Sequence, residues 1–424
     1  MAFKHLLAFL GFFSAVANVQ AQEIHVPLEV PLLTPARAHE LLRAQGGVGA
    51  MDVTLEAIVH AGARALAWVD QLQTGVPEAE REQIWRRIDR VGHEASPSEP
   101  MVYNPGIISN LYEEARAELL PGIADILEGE GGLPAALPGG IALADAMPAI
   151  RKVHTAYSRA SRWIMLSQWR SQLTKGPRDF RPWLRLDQER EAIMQIARSW
   201  TGTSTETRQN AADLAVLACA IGNQSESKCR RDSSRLVRSG DTERAVRWFT
   251  GVFARGQNAY DEKYNIPSAH TGTDVTREGN VLKLKFYTED IPAQILQWIA
   301  DEVTLAWNNA SLQVEVSADA GRWPFGRVHV LWEAGALPHV NGIGGSEITM
   351  DANTPLWLEH TRIVMRHEFG HVMAFPDCYT EFWDEELDAF MFYTLDPSDR
   401  MCALSGETVA RHGVELTRAY GGSL

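Results

Sequence analysis

The chain has 424 residues, and its 40 Lys and Arg face 54 Asp and Glu for a formal net charge of −14. An acidic chain is repelled by nucleic-acid phosphates and by anionic membranes, so neither is an expected partner, and the plain meaning of the balance is solubility. The length suits two or three domains.

The first residues read as an export signal. Lys4 and His5 precede an apolar run from Leu6 to Ala17, and Val19-Gln20-Ala21 carries the small residues at which a signal peptidase cuts. Residues 1–21 are therefore expected to be removed, leaving a secreted or periplasmic chain that begins at Gln22. The run is too short to span a bilayer and no later stretch is long and apolar enough, so no stable membrane anchor is expected. In an oxidising compartment the 4 cysteines are expected as two disulfides. Four cysteines leave three pairings open; sequence proximity favours Cys219 with Cys229 and Cys378 with Cys402. No pair has the close spacing of a cysteine zinc site.

Residues 22–265 read as a mostly α-helical region without a strong strand pattern. Ala36–Arg43, Val53–Leu72 and Glu78–Val91 have helical periodicity, and a Pro-rich break follows from Ser96 to Pro105. A second break, Glu128–Gly140, is rich in Gly and Pro and reads as a hinge or subdomain boundary. Ile141–Leu173 is a long amphipathic stretch carrying Trp163 and Trp169, and Asp241 suits the N-cap of a helix through Trp248, Phe249 and Phe253. The many Trp invite a carbohydrate-binding reading, but a helical core that buries aromatic rings explains them as well and is far commoner. Nothing in this region names a function; it reads as a propeptide or an accessory domain.

A polar stretch from Tyr264 to Asn280 marks a linker, set at residues 266–280. Beyond it the pattern changes. Leu282, Leu284 and Phe286 alternate with Lys283 and Lys285, as in a half-buried strand, and Ile291–Asn308 is an amphipathic helix. Leu312–Val316 and Arg327–Trp332 are further strands. The Gly-rich Asn341–Gly345 leads into Glu347–Met350, an expected edge strand. Leu356–Phe375 is a helix, followed by a loop of about thirty residues and a closing helix over Thr408–Tyr420, with Ser405 as its cap. Residues 281–424 thus form an α+β domain.

The helix Leu356–Phe375 carries the chemistry. His367 and His371 are four residues apart, so they share one helical face and can grip one Zn²⁺, while Glu368 is placed to take a proton from a metal-activated water. Pro376 must stop the helix soon after, and the turn then offers Asp377 as a third ligand. Two His, one carboxylate and an open fourth position describe a catalytic zinc rather than a structural one. Such a motif also arises by chance in helices that bind nothing. Here Leu356, Ile363 and Val364 put an apolar stripe on the same side, so both imidazoles point inward, and leaving them unpaired costs roughly 1–3 kcal/mol each. His360 shares the face, but two turns of helix put it too far from the metal, and it reads as packing.

At these residues the chain resembles the metzincin zinc peptidases, whose signature is H-E-x-x-H-x-x-G-x-x-H or D followed by a Met-containing turn. The Asp form is similar to the snapalysin group of small secreted neutral proteases. The resemblance covers residues 279–424. It implies a metzincin-like fold, a twisted mixed sheet with the zinc helix and a C-terminal helix. It also implies a secreted zinc-dependent endopeptidase acting on protein or peptide substrates, with His367, His371 and Asp377 on one zinc and Glu368 as general base. Ala374 stands where the family has Gly, which eases the chain out of the helix in an unusual backbone conformation. Met401, after the tight turn Asp396-Pro-Ser-Asp-Arg400, is the expected Met-turn residue. Met391 is its rival, with Tyr393 where some metzincins have a zinc-binding Tyr.

Two other readings remain. In gluzincins a later helix supplies a Glu ligand, but Glu385 and Glu386 lie too soon after His371 for a return helix and read as solvated charges. A non-catalytic, zinc-stabilised binding module, whose helical half recognises a partner, would use the same ligands but has no work for Glu368.

Overall fold

The computed structural model describes residues 30–421 apart from 45–49, 78–79, 83–86, 89–94, 222–224, 290–292, 309–311, 319–325, 335, 353 and 355–358. The expected export signal, residues 1–21, lies outside the described residues, as does Leu356 at the expected start of the zinc helix.

The chain opens with β1 (Val30–Pro31), α1 (Pro35–Ala44), α2 (Ala50–Leu72), β2 (Arg87–Ile88), β3 (Met101–Tyr103), α3 (Pro105–Glu118), α4 (Ile123–Glu128) and α5 (Leu143–Leu166). The expected helix over Glu78–Val91 is not formed in its described residues, which hold β2 instead. Helix α3 begins where the sequence offers both start signals. Asn104 Oδ1 accepts from the Ile107 N–H, and Pro105 fills the first helical position, where its missing N–H costs nothing. The Gly- and Pro-rich break after α4 is tied to α2, because Arg64 donates to the Ile126 and Gly131 carbonyls and Trp68 donates to Pro134.

Next come α6 (Lys175–Arg178), α7 (Arg181–Gln188), α8 (Arg190–Arg198), α9 (Thr205–Ala220), α10 (Glu226–Ser239) and α11 (Thr242–Asp261). Asp241 caps α11 by accepting from the Arg244 N–H, as the sequence implies. These helices enclose their own apolar cluster, in which Phe180, Trp183, Trp200, Phe249 and Phe253 are buried. The aromatic residues here are core.

The last third contains β4 (Val275–Glu278), β5 (Val281–Tyr287), α12 (Ala293–Trp307), β6 (Gln313–Ala318), β7 (Val328–Glu333), β8 (His339–Val340), β9 (Glu347–Asp351), α13 (Glu359–Val372), β10 (Tyr379–Asp384), β11 (Ala389–Thr394) and α14 (Ala410–Tyr420). The chain is therefore mixed α and β. One sheet has the order β4-β5-β7-β9-β8, with β6 also on β5; β5 runs parallel to β6 and β7, β7 runs parallel to β9, and β4 and β8 are antiparallel to their neighbours. Helix α12 makes the crossover that the parallel pair β5 and β6 requires. Leu282, Leu284 and Phe286 face the core as their alternation implies.

Four expectations are corrected. Glu347–Met350 is not the edge, because β9 lies between β7 and the two-residue β8. The linker at 266–280 is not a free connection: it contains β4 and buries Ile266 and Asp274. Ser405 does not cap α14; the helix starts later, and the Val409 N–H is satisfied by His412 Nδ1. The loop after α13 is the hairpin β10–β11, extended by β3 into a three-stranded sheet.

That hairpin joins the two halves of the sequence. All six residues of each of its strands are buried. Its outer edges are both covered from the first half. β3 pairs with β11, while the Trp383 N–H donates to the Leu173 carbonyl (2.5 Å). Its polar side chains find partners there too. Thr380 donates to the Arg178 carbonyl, Thr394 to the Ala95 carbonyl, and Asp384 pairs with Lys175 at 2.9 Å. Arg162 of α5 grips Glu381 bidentately, at 3.1 and 2.6 Å. Both side chains are at most 1% exposed. The larger apolar core accordingly runs from Leu33 to Leu173 and resumes from Ile266 to Leu416.

Removing one partner of a buried pair strands the other charge, at a cost of roughly 3–5 kcal/mol. Arg162→Met is expected to lower unfolding free energy by about that much in urea titrations, and a double change with Glu381→Leu to recover most of it. A single change that costs nothing would show that the pair does not tie the halves together.

Candidate metal centre

Helix α13 packs through Val364, Met365, Phe369 and Val372, all buried, which turns His367, Glu368 and His371 inward as well. Its close approach to the core depends on Gly370, since a Cβ there would collide with Met401 Sδ and the Trp307 ring. The helix ends by reversal. The Phe375 N–H reaches back to the Gly370 carbonyl (3.0 Å) and the Ala374 N–H to His371 (2.9 Å), a closure that needs a left-handed residue. Ala374 supplies it with φ 70°, where a glycine would sit without strain. Pro376 then prevents any return to helix, and Asp377 faces back toward the histidines.

His367 Nε2 lies 3.2 Å from Asp377 Oδ1, and His371 Nε2 lies 3.3 Å from the same oxygen. The two imidazole rings stand nearly perpendicular, at 87°, with centroids 4.7 Å apart. Ligand atoms around a tetrahedral zinc with bonds of ~2.0–2.1 Å are separated by about 3.3 Å, so the spacing here fits that ion. The donor set fits as well: two imidazole nitrogens and a carboxylate oxygen suit zinc.

The outer hydrogen bonds fix the tautomers. His367 Nδ1 donates to the Arg400 carbonyl (2.9 Å) and His371 Nδ1 to the Phe375 carbonyl (2.8 Å). A carbonyl only accepts, so each Nδ1 carries its proton and each Nε2 is left to face Asp377. Burial pulls the His371 pKa down, but the Asp377 carboxylate and then Glu368 outweigh it and raise it to about 9. Glu368 is buried, and its Oε2 has no hydrogen-bond partner among the described residues.

Both disulfides are the pairs that proximity favours, Cys219–Cys229 between α9 and α10, and Cys378–Cys402. The second joins the residue after Asp377 to the residue after Met401, and the Cys378 N–H also donates to the Met401 carbonyl (3.1 Å). Met401 is buried beneath Gly370, next to the ligand helix. The rival residues are elsewhere. Met391 lies in β11 with its sulfur 3.6 Å from Arg181, and the Tyr393 hydroxyl accepts from the Phe180 N–H and donates to Asp179. Glu385 and Glu386 are exposed in the hairpin turn. His360 lines a small cavity with Met350, Asp351 and Val364, and is not among the clustered ligands.

Sequence reasoning missed Asp399, which shapes the turn that presents the Arg400 carbonyl. It is buried and accepts from the Met401 N–H (2.6 Å), from Arg411 Nε (2.7 Å) and from His412 Nε2 (3.1 Å). Burial raises its pKa, but the His412 bond and Arg411 prevail and hold it below the usual carboxylate range. An Asp two residues before the Met and a His in the last helix were the available signal.

No protein-family model, curated protein or solved structure matches this chain.

Two outcomes follow from that geometry. Because Asp377 and Glu368 raise the His371 pKa, protons compete with the metal there, and zinc affinity in calorimetric titrations is expected to weaken as pH falls from neutrality into acid. An affinity flat from neutral pH into mild acid would sink the idea. Ala374→Gly relieves a left-handed alanine and is expected to stabilise the fold by about 1 kcal/mol with zinc binding unchanged. A lower melting temperature would contradict it.

Proposed function

We propose that this chain is an exported zinc-dependent endopeptidase of metzincin type, cutting protein or peptide substrates. The observation that carries the reading is the meeting of His367, His371 and Asp377 at one point beside a buried Glu368 whose Oε2 has no hydrogen-bond partner among the described residues. A zinc ion held by those three residues supplies Lewis acidity that polarises a peptide carbonyl and makes water a stronger acid.

The chain's own residues divide the remaining work. Glu368 Oε2 accepts a proton from the attacking water and passes it to the departing amine. The Arg400 and Phe375 carbonyls hold the two imidazoles in the ligand tautomer throughout. An extended substrate can add to the sheet along β8, the last strand in its order, with its backbone paired and its side chains alternating. Ile343, 47% exposed in the adjoining Gly-rich turn, offers an apolar contact at the same edge. A zinc-stabilised binding module would use the same ligands, but it would bury the Glu368 carboxylate to no purpose, and that burial is costly.

Two disulfides favour an oxidising, extracytoplasmic compartment. No helix of the described residues is long and apolar enough to cross a membrane.

The test is casein cleavage by the full exported chain and by Glu368→Gln, each with zinc content measured. The variant is expected to keep one zinc per chain and lose roughly 10²–10⁴-fold in kcat/KM. His371→Ala is expected to lose the metal itself. A zinc-loaded wild type that leaves casein and unfolded peptides intact would overturn the reading and favour the binding module.

A further inference from the structure

Residues 266–280 are tied to α14 and to the Gly-rich turn. The Ile266 N–H donates to Glu415 (2.6 Å), and the His270 N–H donates to the Tyr420 hydroxyl (3.1 Å), which in turn donates to the Met373 carbonyl (3.1 Å). The segment is thereby fastened to α14, and through the Tyr420 hydroxyl to the end of α13.

The His270 ring lies between two acceptors. Its Nδ1 is 2.6 Å from the Gly344 carbonyl and its Nε2 is 2.7 Å from Asp274 Oδ1. A carbonyl and an ionised carboxylate can only accept, so both ring nitrogens must donate, and only the imidazolium has two N–H groups. The two side chains are 3% and 4% exposed, which makes this a buried ion pair. The turn is built for it, since a Cβ on Gly272 would collide with both the Asp274 carboxylate and the His270 ring. Gly344 is the link to the site. Its own N–H donates to the His371 carbonyl (2.7 Å), one residue from where α13 stops.

We propose that His270 is a positioning residue of the metal centre: as an imidazolium it presses the Gly-rich turn, through Gly344, against the last turn of α13, and on losing its proton it lets that turn go. The consequence for catalysis rests on the endopeptidase reading; the hold on the metal-bearing helix does not.

The charged and titratable groups facing His270 are few among the described residues. Asp274 shares its turn. From α14 comes Tyr420, whose pKa burial pushes up to about 12, so that it stays a neutral hydroxyl. The Gly-rich turn contributes the Gly344 carbonyl and the nearby Ser346 hydroxyl, which helps to lower the Asp274 pKa. The Asp274 bond outweighs burial and raises the His270 pKa. Burial pushes Asp274 up, but the His270 bond prevails and lowers it. A raised histidine keeps its bonds at and below its ordinary range and loses them as pH rises through the raised value. A lowered Asp274 keeps the pair intact well into acid. The hold therefore fails only on the alkaline side.

The experiment uses the full zinc-loaded chain with labelled histidines. Nuclear magnetic resonance of the side-chain nitrogens is expected to show one imidazolium at neutral pH with a raised pKa, absent in His270→Gln and shifted down in Asp274→Asn. Zinc release to a chelator is expected to quicken about tenfold in the wild type as pH rises through that pKa, and to be fast and pH-independent in His270→Gln. Casein turnover should lose its alkaline limb in the same variant. A His270 that titrates at or below ~6.5 overturns the proposal, as do equal release rates in wild type and variant at every pH. If zinc-loaded wild type cleaves nothing, the endopeptidase reading fails alone, and the titration and release rates still decide the role of His270.

Discussion

Two imidazoles on one helix face provide two ligand atoms and no more; the third must come from a chain that has turned back on itself. Here the reversal happens within the five residues between His371 and Asp377. It needs a left-handed residue, and Ala374 accepts that conformation at a steric cost. What holds it is the closure of Phe375 onto Gly370, the proline that forbids more helix, and the Cys378–Cys402 bond just beyond the ligand. Without that reversal His367 and His371 would face a carboxylate too far away to share an ion.

The bonds that aim the ligands end on backbone carbonyls, and each carbonyl is fixed by something else. Phe375 presents its carbonyl because it belongs to the reversal. Arg400 presents its own because Asp399 gathers the Met401 N–H, Arg411 and His412 around one carboxylate. The His371 carbonyl receives the Gly344 N–H, and Gly344 is held by His270. Each ionic group in these supports is buried with a partner of opposite charge or a converging set of donors, which is the condition under which a buried charge is tolerable. Rigidity at the ligands is thus borrowed from ion pairs one layer further out.

The parts legible in the sequence are those where one face of an element is buried and the other is not. β5 alternates, α12 and α13 show helical stripes, and the ligand motif lies on α13 with the spacing that helical geometry demands. The hairpin β10–β11 hid because both faces are buried, so no alternation survives, and because Thr380, Glu381, Asp384 and Thr394 look like loop residues until their partners are known. β3 and β8 are three and two residues long, too short to leave a period. His270 and Asp274 read as polar linker because the acceptor that gives His270 its role lies 74 residues away. Short-range pattern finds elements; it does not find ion pairs between distant segments.

The same distant pairings bear on the helical half. A propeptide that masks a cleft can leave because the catalytic domain keeps its own core when it goes. The first 180 residues here do not lie on the rest in that way. They flank the hairpin on both edges, through β3 and Leu173, and they supply the partners of Glu381, Asp384, Thr380 and Thr394. Their departure would expose two strands of buried side chains and strand a carboxylate that now has a guanidinium against it. The strand so exposed begins two residues after Asp377, so the damage would run straight into the turn that brings Asp377 to the histidines. A segment that completes the core directly behind Asp377 cannot be lifted away without opening that core, which is what an accessory domain requires and a detachable cover does not.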